Sequence, residues 1–232
     1  MKEFAASLGL DRKGRAWAFG LLATASFLAC AAVFPPAKAA CGCVFLLGLI
    51  CASCVDLDEM IIPDLFSIGL AVAGVALSLA VPSLHGFARY SALACLRSGA
   101  AATLGLALGS ALGLWLALLG EWVLGKEVLG FGDVKFLGAI GAFCGWQGAV
   151  FSVFGGAVVG AVVLVAAHLH RRLAGDQARA LLRLETPGGE TGRVGWGAQF
   201  PFGPMLAVAA ALYFLALHPW VDRYLEQYRA LF

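Results

Sequence analysis

Charged residues are scarce in this chain. Asp, Glu, Lys and Arg make up 13% of its 232 residues, against 61% hydrophobic. A soluble domain carries about a quarter charged residues, so an ordinary globular protein and a disordered one are both excluded. The net charge of +2 is too small for an electrostatic partnership with nucleic acid. Histidine is equally thin, at four residues. His168 and His170 stand beside Arg171 and Arg172, an ordinary interfacial setting, so no serine–histidine or cysteine–histidine pair is apparent. Cys51-Ala52-Ser53-Cys54 has the spacing of half a zinc or redox site, but it lies in an apolar run with no second pair and no nearby His. Burial as small hydrophobes is the better reading, although one disulfide near Cys41 stays open. Gly188-Gly189 and Gly192 are followed by no Lys-Ser/Thr, which excludes a phosphate loop. No internal repeat is present. No cofactor and no metal are implied.

Long apolar runs are what the chain has. The stretches free of Asp, Glu, Lys and Arg lie between Arg15 and Lys38, Lys38 and Asp56, Asp64 and Arg89, Arg97 and Glu121, Lys135 and Arg171, and Arg193 and Asp222. They hold 22, 17, 24, 23, 35 and 28 residues. A membrane-spanning helix needs about 20, so the lipid bilayer is the first partner. The fifth stretch is too long for one helix, and Gly145-Trp146-Gln147-Gly148 near its middle reads as a turn with an aromatic anchor. The expected fold is an all-α polytopic membrane protein of six to seven transmembrane helices. Thirty glycines suit this, because small residues let helix backbones approach in lipid. Gly138, Ala142 and Gly145 form one such ridge, Gly156 and Gly160 another, and Ala101, Gly105 and Gly109 a third.

Orientation follows from the basic residues. With the N-terminus inside and seven crossings, 11 Lys and Arg fall on the cytoplasmic side and 5 outside. That predicts a cytoplasmic tail at 1–15, a cytoplasmic polar loop at 169–199, and one membrane domain over 1–232. The arginines of the loop fit positive-inside orientation and contact with anionic lipid. A cleaved signal peptide ending near Ala37-Lys38-Ala39 is the alternative for the first segment. Its apolar run is long for a signal, and the downstream topology is the same either way.

Four of the fourteen acidic residues crowd into one short stretch, Asp56, Asp58, Glu59 and Asp64, with no Lys or Arg among them. Asp56 follows an apolar segment directly, and an ionisable group at such depth is a functional hypothesis by default. For Asp58 and Glu59 a solvated acidic loop is an equal reading. The second place is Gly130-Phe131-Gly132-Asp133-Val134-Lys135. Its glycines leave space beside the carboxyl, while a plain helix cap accounts for Asp133 equally well. Topology favours chemistry, because Asp56 ends one helix and Asp133 begins another at the same membrane face. Two close carboxyls do not readily ionise together. The charged member takes a proton from water while the neutral one polarises a carbonyl, which suits peptide hydrolysis.

At these residues the chain resembles the type IV prepilin leader peptidases, membrane aspartyl proteases of the Gly-x-Gly-Asp class. Three segments carry the resemblance. The first is Val55 to Asp64, ending in Pro63-Asp64. The second is Lys126 to Gly138, continuing to Gly141 and Gly145. The third is Pro201-Phe202-Gly203-Pro204, like the start of the family's last helix. The resemblance implies that Asp56 and Asp133 are the catalytic aspartates, supported by Gly130, Gly132, Lys135, Pro63 and Asp64. The substrates it implies are prepilins or pseudopilins, cut after a glycine at the cytoplasmic face of a bacterial inner membrane. Components of a pilus or secretion assembly are further partners. Asp58 and Glu59, with Asp56 and Asp64, would attract the basic leader. The cysteine-rich N-terminal insert of the larger members does not precede Asp56, so peptidase activity without N-methyltransferase activity is expected. Two other classes compete: an inactive scaffold of the assembly, and a proton-coupled carrier using the same aspartates.

Overall fold

The computed structural model describes residues 12–87, 90–125, 129–173, 202–218 and 220. Most of the tail at 1–15, most of the loop at 169–199, and Lys126, Glu127, Pro201, Arg223 and Arg229 lie outside the described residues. Among those described, the chain is almost entirely helical and contains no strand. Helix α1 spans Arg12–Val33, α2 Pro36–Glu59, α3 Leu65–Ala80, α4 Ala92–Leu124, α5 Phe131–Leu173 and α6 Gly203–Leu217. Among the described residues, three helices are long and apolar enough to cross a membrane on length and composition: Pro36–Glu59, Ala92–Leu124 and Phe131–Ala166.

Local chemistry sets several of the boundaries. Pro35 and Pro36 join α1 to α2, with proline in the first turn of α2, where its missing N–H costs nothing. Ser91 caps α4, its Oγ accepting from the Ala94 amide at 3.1 Å. Gly125 ends the same helix at φ 67°, the left-handed conformation glycine takes most easily.

Helix α5 is two rods. Gly145 stands at φ 70° and ψ 179°, a region essentially reserved for glycine, and the chain reverses there. The neighbours on either side of the break show it. Along α4, Gly113 faces Val134, Gly109 faces the Leu137 carbonyl and Gly105 faces that of Gly141, so the first arm runs antiparallel to α4. Beyond the break Ala149 comes back to Gly109. Gly148, Gly155 and Gly156 then meet Tyr213, Ala209 and Leu206 of α6 in descending order. The described residues therefore form seven helical rods, with the reversal inside the Gly145–Gly148 segment that the sequence marks as a turn. Trp146 is half exposed on that turn, while Trp122 and Phe131 are exposed at the opposite end, the placement expected of interfacial aromatics.

The core lies between α2, the first arm of α5, and α6. Phe45 stacks on Phe143 with centroids 4.7 Å apart and tilts against Phe214 at 5.4 Å. In lipid such packing, rather than escape from water, holds helices together. The tightest approach is between backbones: a methyl on Gly105 would overlap the Gly141 carbonyl, and neither main chain can yield. Gly105→Ala is expected to cost about 1–3 kcal/mol and to lower the thermal midpoint in detergent. Gly20→Ala, with open space around it, should leave that midpoint unchanged.

Lys38, a charged boundary in the sequence, is the third residue of α2, next to the Pro35–Pro36 turn, and is buried, with Nζ 5.0 Å from the centre of the Phe34 ring. The aromatic face and the apolar stem reconcile a cation with that depth.

Candidate active site

Helix α2 ends against the usual electrostatic rule. Its last turns carry Asp56, Asp58 and Glu59 and no basic residue, although the C-terminal end of a helix disfavours negative charge. Local rules broken without compensation point to function. Asp58 and Glu59 are exposed, whereas Asp56 turns inward and is only 5% exposed. Lys38 and Asp56 are separated by about 27 Å of helix at 1.5 Å per residue, so the carboxyl lies at the end of the bundle opposite Lys38.

The segment after α2 folds back over Asp56. Met60 takes φ 56°, and its N–H donates to the Asp56 carbonyl at 2.9 Å. This left-handed residue, unusual for a side chain of its size, turns the chain so that Ile62 is buried while Ile61 faces out. Ile62 fills the space between two glycines. A methyl on Gly132 would lie 3.4 Å from its Cβ, and one on Gly203 would lie 3.0 Å from its Cδ1.

Asp133 stands in the first turn of α5. Its carboxyl accepts from the Gly130 amide, while the Asp133 and Val134 amides donate to the Gly130 carbonyl at 3.0 and 3.3 Å. This is half of a capping box, in which the third residue of the helix reaches back to the residue that caps it. Asp133 is thus a cap, and it also faces Asp56 closely enough for the two charges to interact. Capping and proximity to the second carboxyl coexist.

Asp56 meets a helix start as well. The N–H of Gly203, first residue of α6, is directed at its carboxyl, so each aspartate lies at the positive end of a helix dipole. Asp56 Oδ2 nevertheless has no hydrogen-bond partner among the described residues. A buried carboxyl oxygen left this way is costly, and a reacting group is one reason to keep it.

Of the residues singled out by sequence, Asp56, Asp133, Gly130, Gly132, Pro63, Asp64 and Lys135 come together at this end of the bundle. Lys135 Nζ binds Asp64 Oδ1 at 2.6 Å. Asp58 and Glu59 stay on the outer face. The structure adds Gly203 and Ile62 to the set. Gly203 lay in the third matching segment without a role, and its signal was a glycine at the start of an apolar helix. Ile62 had none beyond being apolar between acidic residues. All seven cysteines are free thiols, and no His, Cys, Asp and Glu cluster fit for a metal exists among the described residues.

The helical bundle thus brings two aspartates from distant segments to one end, beneath a segment whose Ile62 packs against Gly132 and Gly203. Residues 43–165 match the model of the type IV leader peptidase family. The chain is 30% identical over 189 residues to a prepilin leader peptidase/N-methyltransferase of Stutzerimonas stutzeri, covering 81% of this chain and 52% of that protein. It is 32% identical over 187 residues to one of Burkholderia pseudomallei, covering 79% and 49%. An Escherichia coli relative of the same name is 32% identical over 131 residues, covering 55% and 51%. The chain thus spans about half the length of the curated relatives it matches. No solved structure gave a significant match. The chain belongs to the type IV leader peptidase family, and it is an inner-membrane protein.

Proposed function

We propose that this chain is an aspartyl endopeptidase that removes the basic leader of type IV prepilins or pseudopilins, cutting after a glycine at the cytoplasmic face. The observation that carries the reading is that Asp56 and Asp133, from different helices and different sequence segments, lie close enough for their charges to interact, with Ile62 packed between Gly132 beside one and Gly203 beside the other. In the reaction one carboxylate takes a proton from water as the water oxygen adds to the scissile carbonyl. The other carboxyl, protonated, donates a hydrogen bond to that carbonyl oxygen. Collapse of the tetrahedral intermediate breaks the C–N bond, and the amine leaves with a proton from the acid. The pair again holds one proton, now on the other carboxyl, and its transfer back across the pair restores the starting state.

The cytoplasmic placement rests on the excess of basic residues in the segments on that side. It also fits the substrate, whose basic leader stays in the cytoplasm while its apolar helix lies in the bilayer. The relatives' names supply the prepilin leader as substrate class. The test is co-expression with a prepilin from the same genome and mass spectrometry of the product. Expected is a new N-terminus directly after the leader glycine, absent when that glycine is replaced by a bulky residue. A prepilin left intact by wild type, or trimmed elsewhere, would overturn the reading. The same spectrum reads the new amine, which is expected to be unmethylated.

A further inference from the structure

We propose that the Asp64–Lys135 ion pair is a positioning latch that fixes the 60–64 segment, and through it the geometry of the two aspartates. The proposal rests on the endopeptidase reading. The pair joins residues 71 apart in sequence at 2.6 Å. Each partner lies two residues from a part of the site: Asp64 from Ile62, and Lys135 from Asp133. From Met60 to Pro63 the backbone has no helix to stiffen it. Ile62 enters the gap between Gly132 and Gly203 from this segment, and Asp64 is where the segment is tied to α5.

Lys135 is itself held. Its Nζ lies 5.1 Å from the centre of the Phe131 ring, and its side chain is 29% exposed against 66% for Asp64. Residues two apart on a helix point about 200° away from one another, so Lys135 faces the ion pair rather than the Asp133 carboxyl. It acts through position and is not a catalytic residue. A partly exposed pair adds little to global stability. Its effect is therefore local, on a segment whose displacement by a fraction of an ångström moves Ile62 against Gly203 and Asp56.

The test compares Asp64→Ala, Lys135→Ala and the charge swap Asp64→Lys with Lys135→Asp, all in the full chain. Each alanine variant is expected to lower kcat on prepilin by about 10-fold or more, since small misplacements of reacting groups are costly. KM should stay within about twofold, because a latch acts on the aspartates and leaves leader attraction to the exposed Asp58 and Glu59. Hydrogen exchange across 60–66 should rise in both while the thermal midpoint hardly moves. The swap should recover most of kcat and of the exchange protection. A swap no better than the single variants, unchanged exchange, or a raised KM with kcat intact would each overturn the latch, the last pointing to direct capture of the leader by Asp64. If wild type cleaves no prepilin, the endopeptidase reading fails, and the exchange data alone decide the latch.

Discussion

Asp56→Asn and Asp133→Asn should each abolish prepilin cleavage, lowering turnover on the order of 10³-fold or more, the scale of a lost general acid or base. Each variant should still insert and fold. Asparagine keeps the shape of aspartate, and at position 133 its carbonyl oxygen can still accept from the Gly130 amide. At position 56 the change removes a buried carboxyl whose Oδ2 has no partner among the described residues. The thermal midpoint of Asp56→Asn should therefore equal or exceed that of wild type, the usual signature of a group kept for activity at the expense of stability. The two readouts together decide between roles. Normal cleavage by both variants would make the aspartates structural and leave the scaffold reading standing. Loss of a proton or cation flux instead of cleavage would favour the carrier. A fall in both stability and cleavage at position 133 would mean that its capping role dominates.

The parts of this fold legible in sequence depend on local signals. Charge-free length sets the helices, and Gly145-Trp146-Gln147-Gly148 marks the reversal, because a turn inside an apolar stretch needs residues that tolerate unusual backbone and an interface. The carboxyls stood out because they are rare and poorly matched to their helix end. Beyond the expected approach of Asp56 and Asp133, contacts between distant segments were not legible. Gly203 faces Asp56 across almost 150 residues of chain, and no periodicity encodes that meeting. Ile62 reads as one apolar residue among several until Met60 turns the chain and selects it over Ile61. The burial of Lys38 was not legible either, because its contact with the Phe34 ring forms across the Pro35–Pro36 turn.

Gly203→Ala tests the meeting of α6 with the aspartates most sharply. A methyl there would stand 2.6 Å from Asp56 Oδ2 and 3.0 Å from Ile62 Cδ1, so something must shift. The backbone of α6 is fixed by buried Met205, Leu206, Ala209 and Ala210, and Asp56 is the end of a side chain that can rotate. The carboxyl is therefore the group that gives way. Activity should fall by about 100-fold, the scale of an ångström-sized misplacement, with a much smaller loss of thermal stability. Gly132→Ala is the contrast, because its methyl would make an ordinary 3.4 Å contact with Ile62 Cβ. That variant should retain activity within a few-fold of wild type. If the two alanines prove equally harmful, the glycine before Asp133 serves the substrate directly and not just the packing of Ile62. If Gly203→Ala cleaves at the wild-type rate, Asp56 works in an orientation other than the one facing the start of α6.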